Sequence, residues 1–131
     1  MYLLDTNTVS LALRGRAPIV VDRLRAVQRE DVAVSVITAM ELRFGIAKNP
    51  STRARAVVEQ FLDAIKVLPI DRAVEKPYAD IRAALERVGR LIGSLDTIIA
   101  AHALAVRAVL ITNNVREFRR VRGLRCEDWT S

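Results

Sequence analysis

The stretch Val32–Leu42 reads "VAVSVITAMEL". Its first five residues, Val32 to Val36, are largely β-branched and follow the charged cluster Arg29-Glu30-Asp31, the composition of a buried strand with a polar boundary. Behind it, Thr38-Ala39-Met40-Glu41 carries the Ser/Thr-x-x-Glu pattern of a capping box, in which a hydroxyl and a carboxylate satisfy the free N–H groups that open a helix. A buried strand therefore runs straight into a helix.

The same alternation extends in both directions. Upstream, Tyr2 to Leu4 is a short apolar run, and Val9, Leu11 and Leu13 follow at helical spacing. Pro18 stands where a second helix can start, and Ile19, Val20, Leu24 and Val27 continue it. Downstream, Asn49-Pro50-Ser51 interrupts the pattern and Ser51 can cap a helix over 52–65. "KVLPI" at 66–70 reads as a strand, with Pro69 tolerable only near its end or at a sheet edge. Asp71 caps a long helix reaching about Val88, and Gly89 to Gly93 form a loop. Ser94 can then cap a strongly apolar helix, followed by a buried strand at "AVLIT" (108–112), a polar turn at Asn113-Asn114, a short helix over 116–121 and a last strand within 124–129. Strands alternating with helices throughout predict a mainly parallel central sheet flanked by helices on both faces, an α/β three-layer sandwich. Residues 1–131 are expected to form a single domain of this kind.

Composition narrows the partners. Hydrophobic residues make up 51% and charged residues 27% of the chain, which is globular and unlike a disordered segment. Lys and Arg number 21 against 15 Asp and Glu, a formal charge of +6 that favours polyanions such as nucleic acid. One cysteine, Cys126, excludes an intrachain disulfide and a cysteine zinc cluster, so a reducing, cytoplasmic setting is expected. Neither a secretory signal nor an apolar run near the roughly 20 residues of a membrane span is present.

In parallel sheets the ligand site lies beyond the carboxyl ends of the strands. Asp5 directly follows the first strand, Glu41 lies in the first turns of the helix after the second, Asp96 lies two residues beyond Ser94, and Asn114 stands just past "AVLIT". Each acid also has an ordinary explanation, because carboxylates at helix starts are favoured by the macrodipole and by free N–H groups. Their convergence on one rim is what argues for chemistry. Clustered carboxylates repel, and a hard divalent cation such as Mg²⁺ or Mn²⁺ relieves that conflict while keeping part of its water. Such a site can activate water and neutralise charge on a phosphodiester.

Four segments, "LLDTN" (3–7), "TAMELRFG" (38–45), "IGSLDTIIAAHAL" (92–104) and "LITNNVREF" (110–118), resemble in order and spacing those of PIN-domain proteins, and among them the VapC-type toxin ribonucleases. The resemblance covers nearly the whole chain. It implies a PIN-like fold and a metal-dependent endoribonuclease, the toxin of a type II toxin–antitoxin system. It further implies a VapB-type antitoxin, contact with operator DNA only through that antitoxin, and a homodimer. Carried over by position, Asp5, Glu41 and Asp96 match the acids that hold Mg²⁺ or Mn²⁺ and place the attacking water, and Asn7 takes a supporting role. Many PIN domains have Thr-x-Asp after the last buried strand, whereas this chain has Thr112-Asn113-Asn114. The amide brings no charge, Glu117 three residues on could supply the missing acid, and one tightly held ion is the expectation.

His102 lies six residues beyond Asp96, about 600° of helical turn, and is expected to pack away from the acids. Cys126 and Trp129 are expected to be packing residues, and Leu24, Val27, Phe44 and Ile46 include candidates for contact with partners. Arg14, Arg16, Arg43, Arg116, Arg119 and Arg120 lie near the predicted rim or just after it and can hold RNA phosphates or a partner's acidic tail, the ordinary role of any one of them being a solvated surface residue. A rival from another class is a non-catalytic nucleic-acid or protein binding module whose acids serve only as caps. A DNA-directed or flap-type nuclease is a third reading, for which 131 residues leave little room.

Overall fold

The computed structural model describes residues 1–131. Five strands, β1 (Tyr2–Leu4), β2 (Val32–Ser35), β3 (Lys66–Leu68), β4 (Val109–Ile111) and β5 (Cys126–Glu127), form one sheet in the order β3-β2-β1-β4-β5. All four pairings are parallel. Seven helices connect them: α1 (Thr6–Leu13) and α2 (Pro18–Ala26), α3 (Val36–Lys48) and α4 (Thr52–Ala64), α5 (Glu75–Arg87) and α6 (Ser94–Ala105), and α7 (Val115–Phe118).

Side chains alternate across the sheet, so neighbours in sequence enter different cores. Leu3, Ala33 and Leu110 face one side with Ile81, Leu85, Ile99 and Phe118 from α5, α6 and α7. Leu4, Val34 and Ile111 face the other with Val9, Val20, Leu42, Val58 and Leu62 from α1 to α4. Every residue of these strand triplets is fully buried, which explains the unbroken apolar runs at both central strands. The three-layer expectation is met, and Pro69 follows the edge strand β3, where its missing N–H breaks no ladder.

Several element starts differ from the sequence reading. β2 stops at Ser35, whose Oγ accepts from Ile37 N–H at 3.1 Å, and α3 begins at Val36. Thr38 and Glu41 are therefore not a capping box: the hydroxyl turn at Ser35 opens the helix first, leaving buried Thr38 in its first turn and Glu41 in its second free to meet Thr6. Asp71 caps a 3₁₀ turn, Arg72–Val74, and α5 begins only at Glu75. Ser94 is the first helical residue of α6 and makes no cap bond; Gly93 takes the cap position, and Thr97 Oγ1 donates to its carbonyl at 2.8 Å. Leu24, Val27 and Ile46 pack against the core, while Phe44 stands 66% exposed on α3 with Met40 one turn before it. No helix is long and apolar enough to cross a membrane.

His102 is buried, with Nδ1 2.8 Å from Ser35 Oγ. The Ser35 hydroxyl can accept from Ile37 N–H and still either donate to Nδ1 or accept from it, so the direction of this bond follows the imidazole tautomer. Burial pushes the imidazole pKa down, against smaller opposing influences from Asp71 and the Pro69 carbonyl. A histidine depressed in the folded state contributes stability that is present above its unfolded pKa and lost as pH falls through the folded value. The wild type is thus expected to lose more unfolding free energy between pH 7 and pH 5 than His102→Gln. Urea melts at the two pH values measure this, and parallel losses would show that His102 does not titrate on unfolding.

Candidate active site

The chain proceeds outward from β1 to β2 to β3, then returns across the sheet to β4 and β5, so the direction of winding reverses between β1 and β4. Crevices in open parallel sheets form at this switch point, outside the strand carboxyl ends. The register pairs Leu4 with Val34 and with Ile111, which brings Asp5, Ser35 and Thr112 to one rim.

A cleft of about 510 Å³ opens there, lined by Asp5, Thr6, Asn7, Ser10, Glu41, Asp96, Asn113 and Asn114. Every lining side chain carries oxygen, three are carboxylates, and neither lysine nor arginine is among them. The three acids singled out from sequence are thus brought together from β1, α3 and α6.

Asp5 is nearly buried, 3% exposed, and held from both sides. One oxygen accepts from Thr8 N–H at 2.9 Å, capping α1, and the other accepts from Thr112 Oγ1 at 2.6 Å. Capping and rim placement are therefore compatible roles for the same carboxylate. Burial raises its pKa, hydrogen bonds from Thr112 and Thr8 oppose that rise, and the charge of Glu41 adds to it. Thr8 Oγ1 is buried near Asp5 but reaches no partner at hydrogen-bond geometry.

Glu41 accepts from Thr6 Oγ1 at 2.6 Å, and Thr6 Oγ1 lies 3.0 Å from Thr38 Oγ1. Since the Thr6 proton is committed to the carboxylate, Thr38 donates to Thr6, and a chain of two hydroxyls aims Glu41 from behind. Thr38 is fully buried. Its role was invisible in the one-dimensional pattern, where it read as a cap.

Asp96 lies half-buried in the first turn of α6, and its carboxylate folds back over Gly93, where an added Cβ would meet Oδ2 at 3.4 Å. Its pKa is pushed up to about 6, first by burial and then by the charges of Asp5, Glu41 and Glu117. This is a cleft with more negative charge than its own donors neutralise.

The supporting residues are arranged differently from the sequence expectation. Asn7 Nδ2 donates to Asn113 Oδ1 at 2.9 Å instead of bracing a carboxylate, and Asp5 is held by Thr8 and Thr112, one on each oxygen. Thr112 Oγ1 also accepts from Asn114 N–H at 2.9 Å. Asn114 Nδ2 donates to Glu117 Oε2 at 2.8 Å, so Glu117 stands behind Asn114 and acts on the cleft through its charge on Asp96. Ser10 and Asn113 line the cleft without having been singled out. Ser10 lies four residues after Thr6 on α1, the spacing that places two side chains on one face, and that was the available signal.

Among the rim arginines, Arg43 is engaged by Glu59 at 2.6 Å, and Arg120 donates to the Arg90 and Leu91 carbonyls at 3.4 and 3.3 Å. Arg14, Arg16, Arg116 and Arg119 are exposed and make no ion pair.

The PIN domain family model matches residues 2–124. The chain belongs to the PIN domain family. It is 39% identical over 130 residues to the tRNA(fMet)-specific endonuclease VapC of Shigella flexneri, with 98% of each chain covered. The crystal structure of DNA-bound VapBC from Salmonella typhimurium contains a chain that superposes with TM-score 0.91 at 37% identity, covering 98% of this chain and 97% of that one. The VapBC2 structure from Rickettsia felis, bound to a DNA fragment from its promoter, gives TM-score 0.90 at 30% identity and 98% coverage of both.

The donor set suits a hard divalent cation: oxygen ligands only, partial burial and unneutralised negative charge. No three acidic, histidine or cysteine side chains already converge closely enough to hold an ion between them. Glu41 is turned onto Thr6 and both oxygens of Asp5 meet protein donors, so an ion here would draw on remaining lone pairs and retain water.

Proposed function

We propose that this chain is the toxin of a type II toxin–antitoxin pair, an endoribonuclease that hydrolyses RNA phosphodiester bonds with Mg²⁺ or Mn²⁺. The observation that carries this is the oxygen-lined cleft at the switch point, which Asp5, Glu41 and Asp96 all line and where burial, then the charges of Asp5, Glu41 and Glu117, push the Asp96 pKa up to about 6. Kinship with VapC ribonucleases supports the choice of RNA.

Asp5, Glu41 and Asp96 would hold the cation, and Asn114 offers an amide oxygen at the far side. When bound, the ion supplies a water of lowered pKa and offsets charge on the phosphate. The protein's own part is orientation. Thr8 and Thr112 fix Asp5, the Thr38–Thr6 pair fixes Glu41, and Asn7 with Asn113 closes the outer wall. With Asn114 neutral and Glu117 set back behind it, the site has charge for one tightly held ion, and a second would come with the RNA phosphate.

The solved relatives include toxin–antitoxin complexes, three of them on DNA, which supports a VapB-type antitoxin that covers the toxin and carries it to operator DNA. A homodimer is part of the same proposal, and exposed Met40 and Phe44 on α3 offer it apolar surface.

The test is cleavage of end-labelled single-stranded RNA and of tRNA(fMet), the substrate in the Shigella relative's name, with Mg²⁺, with Mn²⁺ and with excess EDTA. Cleavage is expected with either ion, absent in EDTA and absent for Asp5→Asn with its circular dichroism unchanged. Cutting that survives EDTA, or RNA retention without any cutting, would leave the binding-module reading in its place.

A further inference from the structure

A second depression begins where the acidic cleft ends. It measures about 890 Å³ and shares Thr6, Ser10 and Glu41 with the cleft, so the two adjoin. From there it runs between α1 and the α3–α4 corner. Its floor is apolar, with Leu13, Leu42, Ile46 and Val57, while its outer wall carries Arg14, Arg16 and Arg53. All three arginines are exposed, and none has a carboxylate partner, in contrast to nearby Arg43, which is neutralised by Glu59. Arg53 stands in the first turn of α4, which holds no acid, so the positive end of that helix adds to the same wall.

Resting on the ribonuclease reading, we propose that this groove is the track for the single-stranded RNA flanking the cut site, with Arg14, Arg16 and Arg53 on successive phosphates and the apolar floor beneath the bases. An RNA strand whose scissile phosphate sits over Asp5, Glu41 and Asp96 must leave the cleft, and here the walls change from anionic to cationic. The order of charge matches the substrate: acids where a cation must neutralise a reacting phosphate, arginines where phosphates need only be held. An apolar floor fits unstacked bases and offers nothing to a paired helix, whose bases face inward. The groove's volume falls in the class that encloses a molecule of drug size, enough for a short run of nucleotides and too little for a duplex.

The test compares two single-stranded RNAs with one cleavage site, one trimmed to the nucleotides around the scissile bond and one extended on both sides. Wild type and the triple variant Arg14→Gln, Arg16→Gln, Arg53→Gln are assayed over a salt series. These exposed polar replacements leave the core untouched, and equal melting temperatures confirm that. For the extended RNA the variant's kcat/KM is expected to fall at least about tenfold through KM. The slope of log(kcat/KM) against log[salt] should flatten by about 2, from three phosphate contacts at roughly 0.7 each. The trimmed RNA should be cut at the wild-type rate. Equal cleavage of the extended RNA by both proteins overturns the proposal while the ribonuclease reading stands. So does an equal loss on both substrates, which would place the arginines at the reacting centre. Normal RNA cleavage combined with lost inhibition by an acidic antitoxin segment likewise overturns it in favour of a protein-docking groove. If wild type cuts neither RNA, the ribonuclease reading itself fails.

Discussion

Replacing Asp96 with asparagine is expected to stabilise the metal-free protein at pH 7.5 and to cost it at least about a hundredfold in RNA cleavage, more than loss of an outer partner of a metal ligand usually costs. Asp96 accepts no hydrogen bond from the protein, and burial together with Asp5, Glu41 and Glu117 raises its pKa to about 6. A carboxyl raised in the folded state binds its proton more tightly there than in the unfolded chain. Its contribution is therefore favourable below the unfolded value near 4 and is lost as pH rises through about 6, leaving a strained anion at neutral pH. Asparagine has the same shape and no charge. Because Asp96 is only half-buried and solvent screens part of the repulsion, the gain should be modest, roughly 2–5 °C in Tm. It should vanish below pH 4. Adding Mn²⁺ should reverse the ranking, because an ion that binds the folded wild type raises its stability by mass action and the variant has lost a ligand. Scanning calorimetry in EDTA and in Mn²⁺ at pH 7.5 and 4 tests all three statements. A variant that melts lower than wild type in EDTA at pH 7.5 would mark Asp96 as a structural helix cap.

How much of this was legible without coordinates depends on what sort of interaction each residue makes. The sheet was legible because its central strands are buried on both faces, so "YLL", "VAV" and "VLI" read as apolar runs with polar boundaries. The acids were legible because each stands at an element start, and the rule that sites lie beyond strand carboxyl ends sends them to one rim. Thr38 was not. Its pattern with Glu41 satisfies a local rule, but a competing local bond at Ser35 starts the helix three residues earlier. The hydroxyl is thereby released for a contact with Thr6, 32 residues away in sequence. Asn7 and Glu117 fall in the same class, since their partners Asn113 and Asn114 were set by which neighbouring groups had already been satisfied. Local spacing gives the positions of polar side chains in such a rim, and only the packed structure gives their pairing. The unpaired state of Arg53 is likewise a tertiary fact, as is the pairing of Arg43 with Glu59 sixteen residues on.

Thr112 is the residue in which fold and site meet most closely, and Thr112→Val should damage both. Its hydroxyl is completely buried at the end of β4, donates to Asp5 Oδ2 at 2.6 Å and accepts from Asn114 N–H at 2.9 Å. Valine fills the same space but strands a carboxylate oxygen and a backbone donor, a loss on the order of 1–3 kcal/mol. The hydrogen bond from Thr112 is also the largest influence holding the Asp5 pKa down against burial, so its removal lets that pKa rise further. A cation must then displace a proton from Asp5 more often. Mn²⁺ affinity and cleavage should fall by roughly 10–100-fold, the usual cost of losing an outer partner of a metal ligand. The deficit should be larger at pH 6 than at pH 8, because a raised Asp5 pKa strengthens the competition from protons as pH falls. Thr112→Ser keeps the hydroxyl and loses only a methyl group, so it should restore most of the affinity while recovering only part of the stability. Isothermal titration with Mn²⁺ at the two pH values, run beside urea melts of the three proteins, separates the effects. A valine variant that is less stable yet binds Mn²⁺ as tightly as wild type at both pH values would show that packing alone aims Asp5. In that event the Thr112 hydroxyl would serve the strand end and have no part in the chemistry.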